Sequence, residues 1–122
     1  MRSQMAEVFY NHLTKTHDAT SAGAYPELGG EVSKRAIQAM SELDISLDGH
    51  HGKVLSQEMI EKADKVILFP TSFMPDYALS SEKAELWDVI DPHYHHEQGM
   101  ELVRAVRDDI GNRVKKMIQE NA

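Results

Sequence analysis

The 122 residues include seven histidines and no cysteine, and these two counts bound the chemistry before any fold is assigned. Without a thiol, the residues present offer no disulfide, thiolate zinc site, iron–sulfur cluster or thiol nucleophile. Histidine is the remaining soft ligand. His50 and His51 are adjacent, and His93, His95 and His96 form a second group. No His-Glu-x-x-His pattern occurs, and neither group falls on a helix at i, i+4 spacing. Solvated loop histidines are therefore expected, with no metal and no other cofactor. Asp91 before Pro92 follows an apolar segment, so its carboxylate either caps a turn or is held free at the end of a strand.

The charge balance narrows the partners. Thirteen Lys and Arg against twenty Asp and Glu leave a formal charge of −7, which disfavours non-specific binding to nucleic acid or to an anionic membrane. A localised basic pocket remains open. Val66 to Phe69 is the longest apolar run, far short of a membrane span, and the first residues do not resemble an export leader. A cytoplasmic protein is expected. With 41% apolar residues the chain has enough material for one core, and its length fits a single domain over 1–122.

The elements that must position any site follow from periodicity. Met5, Val8, Phe9 and Leu13 predict a helix over 3–15 with Ser3 as its N-cap. Ala19 to Ala22 reads as a short strand ended by Gly23. Ala36, Ile37, Met40 and Leu43 place a second helix at 31–43, and Ile45 and Leu47 are candidate anchors under the loop that follows. Ser56 caps a short helix to Lys62. Lys65 to Phe69 is a continuous apolar strand of the kind buried on both faces of a parallel sheet. A helical turn at 75–79, a strand at 85–90 and a long amphipathic helix at 97–119 complete the chain, the last weakened by Gly111. The order predicts an α/β fold: a three-layer αβα arrangement around a short parallel sheet. Such a sheet wants a central strand, and the gap falls before the first helix. A strand feeding that helix would make a loop able to bind an anion at the helix N-terminus.

Arg2-Ser3-Gln4-Met5-Ala6-Glu7 resembles the second half of the phosphate-binding loop and the following helix of the low-molecular-weight protein tyrosine phosphatases, and of the arsenate reductases sharing their fold. In that family the loop reads Cys-x5-Arg-Ser/Thr, followed by x-Met-Ala-Glu. Four further segments resemble family segments in order: Thr20-Ser21-Ala22-Gly23, Leu43-Asp44-Ile45-Ser46, Ala63 to Ile67, and Trp87-Asp88-Val89-Ile90-Asp91-Pro92. The resemblance spans essentially the whole chain.

What it implies is phosphomonoester hydrolysis through a phosphocysteine. Loop N–H groups, the helix N-terminus and an arginine hold the phosphoryl oxygens, and the Asp of Asp-Pro acts as general acid. By position Arg2 is then the phosphate-binding arginine, Ser3 the loop hydroxyl and Asp91 the acid. Trp87 and Tyr94 stand among the substrate-binding residues, Trp87 as core or pocket wall. Tyr77, Phe73 and Met74 are further candidates for the rim or wall. Met1 falls on the last loop position before the arginine, so the nucleophilic Cys, the rest of the loop and the first, central strand are expected to be missing: an N-terminally truncated domain without turnover. No residue replaces the thiol. Ser3 lacks a base, no Arg-His-Gly or Asp-x-Asp pattern supplies a histidine or aspartate nucleophile, and thiol-coupled arsenate reduction needs further cysteines. Three alternatives follow: an incompletely represented phosphatase or arsenate reductase-like enzyme, a non-catalytic binder of a phosphate-like oxyanion or phosphorylated substrate, and a pseudo-phosphatase forming a homodimer through an exposed sheet edge.

Overall fold

The computed structural model describes residues 1–23, 33–47, 53–70, 74–92 and 95–120. Helix α1 (Arg2–Thr14) opens the chain, followed by α2 (Lys34–Ser41), α3 (Gln57–Lys62), strand β1 (Val66–Leu68), α4 (Asp76–Leu79), β2 (Ala84–Leu86) and α5 (Gly99–Glu120). A 3-10 turn over His96–Gln98 leads into α5.

β1 and β2 pair in parallel, with Val66 opposite Ala84 and Leu68 opposite Leu86. The period of two in β1 divides the protein into layers. Ile67 packs on the larger apolar cluster, built from Met5, Val8 and Phe9 of α1, Ala36 and Met40 of α2, and Val103, Val106, Ile110 and Val114 of α5. Val66 and Leu68 point the other way, into a smaller cluster with Ile60 of α3 and Ala78 of α4. The α/β class, the short parallel sheet and helices on both faces are thus present. Ile45 and Leu47 are buried beneath the turn after α2.

Several boundaries differ from expectation. Among the described residues the segment 19–22 is not a strand; only Gly23 makes an isolated parallel bridge, to Val54. The reason is local competition. Glu7 Oε1 accepts from the Ser21 N–H at 2.8 Å, while the Asn11 side chain accepts from the Ala19 N–H at 2.9 Å and donates to the Ala19 carbonyl at 3.1 Å. Side chains of α1 therefore take the backbone groups that a neighbouring strand would have paired. The expected strand at 85–90 is ladder only over Ala84–Leu86, plus one bond from the Trp87 N–H to the Leu68 carbonyl at 2.9 Å. A tight turn then closes from the Val89 N–H to the Trp87 carbonyl at 2.9 Å, redirecting the chain toward α1. Ser3 is not the N-cap: α1 begins at Arg2 after Met1, with no side-chain cap, while the Ser56 hydroxyl does cap α3 by accepting from the Met59 N–H at 3.3 Å. α2 is shorter than 31–43, and its expected first residues, Glu31 and Val32, lie outside the described residues.

Gly111 has a packing reason. A Cβ there would lie 2.9 and 3.1 Å from the Phe9 ring, which is itself buried, so α1 and α5 approach closely only because no side chain intervenes. Gly111→Ala gains about 1 kcal/mol of helix propensity but overpacks the ring at a cost of about 1–3 kcal/mol. A net loss of about 1 kcal/mol is expected in urea unfolding. A raised unfolding midpoint would show that the ring yields freely.

Two cationic clamps fasten the helices, one to the start of β2 and one to each other. Lys83, just before β2, donates to the carbonyls of Ile60, Glu61 and Ala63 at 2.7, 3.0 and 2.6 Å, closing the C-terminal end of α3. Arg107 of α5, itself buried, donates to the Ala39 carbonyl at 2.9 Å and to Glu42 at 2.6 Å, and Arg104 adds a bidentate contact to the same carboxylate. These hydrogen bonds, Arg104's foremost, hold the Glu42 carboxyl below its ordinary 4.5 although burial opposes them. A lowered folded value stabilises the protein above the unfolded value, and the gain disappears as pH falls through the folded one. The stability difference between the parent and Glu42→Gln is thus expected to be full near neutrality and to shrink below about pH 4.5. A difference independent of pH between 3 and 7 would remove the linkage (an interval of roughly that width spans both carboxyl states).

Candidate functional site

The N-terminus of α1 meets the C-terminal ends of both strands, and Arg2 stands at the junction. Its side chain is 8% exposed, so the buried donors of its guanidinium need partners. Nη1 donates to the Val89 carbonyl at 2.7 Å, after the turn that ends β2. Nη2 donates to the Pro70 carbonyl at 2.6 Å, just beyond β1. The same Nη2 lies 3.5 Å from Asp91 Oδ2, and that carboxylate is a quarter exposed. One arginine thus ties the first turn of the first helix to two chain segments nearly seventy and ninety residues away.

Burial, reinforced by the Arg2 charge, pushes the Met1 amino group below its ordinary 8.0, and the Asp91 charge opposes it. Guanidinium and carboxylate share this poorly solvated corner. Phe69 forms its floor: the Arg2 Cζ lies 5.6 Å from the ring centroid. Trp87 meets Phe69 edge-on, with centroids 6.0 Å apart and planes at 83°.

The structure brings together Arg2 and Asp91, 89 positions apart. Ser3 follows on the first turn of α1, half-buried. Trp87, expected among the substrate-binding residues as core or pocket wall, is a core residue at 5% exposure that meets Phe69 edge-on. Tyr77 packs on the smaller cluster and donates to the Leu55 carbonyl at 3.3 Å, and Met74 packs on that cluster too. Tyr94, His93, Phe73, His50 and His51 lie outside the described residues. Phe69 was expected only as strand and Glu7 only as part of the motif after Arg2, and neither they nor Asn11 carried a role of their own. Phe69 ends an apolar run indistinguishable from ordinary core, and the carbonyls of Pro70 and Val89 leave no mark in a side-chain pattern.

Chemically, a desolvated guanidinium beside a helix N-terminus favours an oxyanion. A carboxylate at its edge can exchange a proton with a group bound there.

Comparison with known proteins is consistent in kind. The chain is 32% identical over 121 residues to an arsenate reductase of Halalkalibacterium halodurans, covering 93% of this chain and 84% of that protein. It superposes on an arsenate reductase solved in its phosphate-binding state with a TM-score of 0.81 at 28% identity, covering 100% of this chain and 91% of the other. Its fold is also that of the Erwinia amylovora tyrosine phosphatase amsI, with a TM-score of 0.82 at 19% identity over 98% of this chain and 84% of that one. The family model for low molecular weight phosphotyrosine protein phosphatases matches residues 1–121, and with it the chain belongs to that family.

Proposed function

We propose that these 122 residues form an oxyanion site of the phosphatase type, with Arg2 as the anion ligand and Asp91 in the general-acid position, but without a nucleophile of their own. The observation that carries this reading is the convergence of Arg2 and Asp91, 3.5 Å apart, at the N-terminus of α1. Hydrolysis through a phosphocysteine needs a thiolate, and these residues contain none. The chain itself should therefore bind inorganic phosphate and release no product from a phosphomonoester.

Arsenate has the same tetrahedral shape and charge as phosphate, and 32% identity to an arsenate reductase favours it as a second ligand of the same corner. Reduction of arsenate by thiols would again need cysteine. A homodimer through the exposed edge of the short sheet is the reading that remains for a purely structural role, and Leu86, 58% exposed on β2, would lie at such an edge.

The test is an NMR titration with phosphate and, separately, arsenate at constant ionic strength. Saturable shifts of the Ser3, Gln4 and Met5 amides are expected for both. Amides that stay still while p-nitrophenyl phosphate is also untouched would reject the oxyanion site. A dimer mass at micromolar concentration would then favour the edge-pairing alternative.

A further inference from the structure

Hydrogen bonds to a guanidinium lie in its plane, because all its N–H donors do. The carbonyls of Val89 and Pro70 therefore fix where Arg2 sits in that plane and leave its flat face to be held by something else. Among the described residues the aromatic face in range is Phe69. It is 7% exposed and leads out of β1 directly into Pro70, whose carbonyl takes one of the Arg2 donors. The ring's negative face attracts a cation most strongly where water is scarce, and Arg2 at 8% exposure meets that condition. Trp87, edge-on and 5% exposed, keeps the Phe69 ring from turning.

We propose that Phe69 is a positioning residue for the anion ligand: its π face, braced by Trp87, holds the Arg2 guanidinium in the orientation that receives an oxyanion. This rests on the reading of Arg2 given above. A ring that merely filled space would be replaceable by any side chain of like volume. A ring that positions a cation must answer to its own electron density. The distinction is measurable, since fluorine withdraws density from the ring face with little change of shape.

The experiment places mono-, di- and trifluorinated phenylalanine at position 69 alone in the 122-residue chain, with Phe69→Leu as a second variant. Two quantities are read: the inorganic phosphate Kd at fixed ionic strength, and the Arg2 Nε–Hε resonance without anion. Phosphate affinity is expected to fall stepwise with fluorination, by up to about thirtyfold, and the Arg2 resonance to lose its ring-current shift in Phe69→Leu. Equal affinity across the fluorinated series would overturn the proposal, as would an Arg2 resonance unmoved by Phe69→Leu. A parent chain that takes up no phosphate at all would defeat the oxyanion reading instead. The Arg2 resonance, which needs no anion, would still decide whether the ring holds the guanidinium.

Discussion

A chain extended ahead of Arg2 by an apolar strand and a Cys-x5-Arg loop, with Arg2 as the loop arginine, is expected to hydrolyse p-nitrophenyl phosphate, and the 122 residues by themselves are not. On the reading proposed above, Arg2 and Asp91 already supply two parts of the reaction. Arg2 presents a desolvated cation at the head of α1, where charge on the equatorial oxygens would gather. Asp91 stands 3.5 Å away at its edge. Missing from these residues is an atom to form the bond to phosphorus. With a thiolate supplied, an S–P bond forms as the P–O bond to the phenol breaks, and Asp91 gives its proton to the departing oxygen. Water then attacks phosphorus, returning a proton to Asp91 and freeing phosphate and thiolate. In that extended chain Asp91→Asn should slow turnover by about two to four orders of magnitude, most of all with phenyl phosphate, whose leaving group most needs the proton. An Asp91→Asn chain as fast as its parent would place the acid elsewhere.

Replacing Arg2 by Met is expected to damage both stability and binding, and the two losses can be separated. Met keeps the length of the stem and loses the fork. The carbonyls of Val89 and Pro70 then face an apolar side chain inside a nearly dry corner. Hydrogen bonds from a charged donor contribute about 1.5–3 kcal/mol each, and acceptors left unpaired add their own desolvation cost. A loss of about 2–4 kcal/mol is expected in denaturant unfolding, a large part of a typical domain's margin. Arg2→Lys retains charge but not the paired, coplanar donors, so one ammonium cannot serve both carbonyls in the same way. Stability should recover in part, while phosphate affinity stays at least about tenfold below the parent. If Arg2→Lys binds phosphate as well as the parent, bidentate geometry is irrelevant and only charge counts.

Both outcomes depend on a tie that joins remote parts of the chain, and here the legible and illegible parts of the sequence separate. The helices α1 and α5 were evident because a burial period of 3.6 is a property of the local sequence. β1 was evident because a strand buried on both sides must be apolar throughout. Ile45 and Leu47 announced themselves as apolar residues in a polar loop. Asp91 was marked by the proline after it, and Arg2 by the motif that follows it.

Position within a motif says nothing about partners across space. The segment 19–22 has the composition of a strand, yet its backbone groups go to Glu7 and Asn11, because α1 passes beside it and offers a carboxylate and an amide at the right height. Trp87 belongs to a motif near the site and faces the core, since the turn at Val89 swings the following chain toward Arg2 while the indole stays packed against Phe69. Gly111 looked like a flaw in a helix until the Phe9 ring occupied the space above it.

By itself, then, the sequence determined the kinds of element, the family pattern and the absence of a thiol among these residues, since each depends on residue type and short spacing alone. Only the tertiary structure decided that Phe69 and two backbone carbonyls join Arg2 and Asp91 in one corner. Their meeting depends on backbone carbonyls 68 and 87 positions from Arg2 and on an aromatic face 67 positions away, and no local preference encodes such distances.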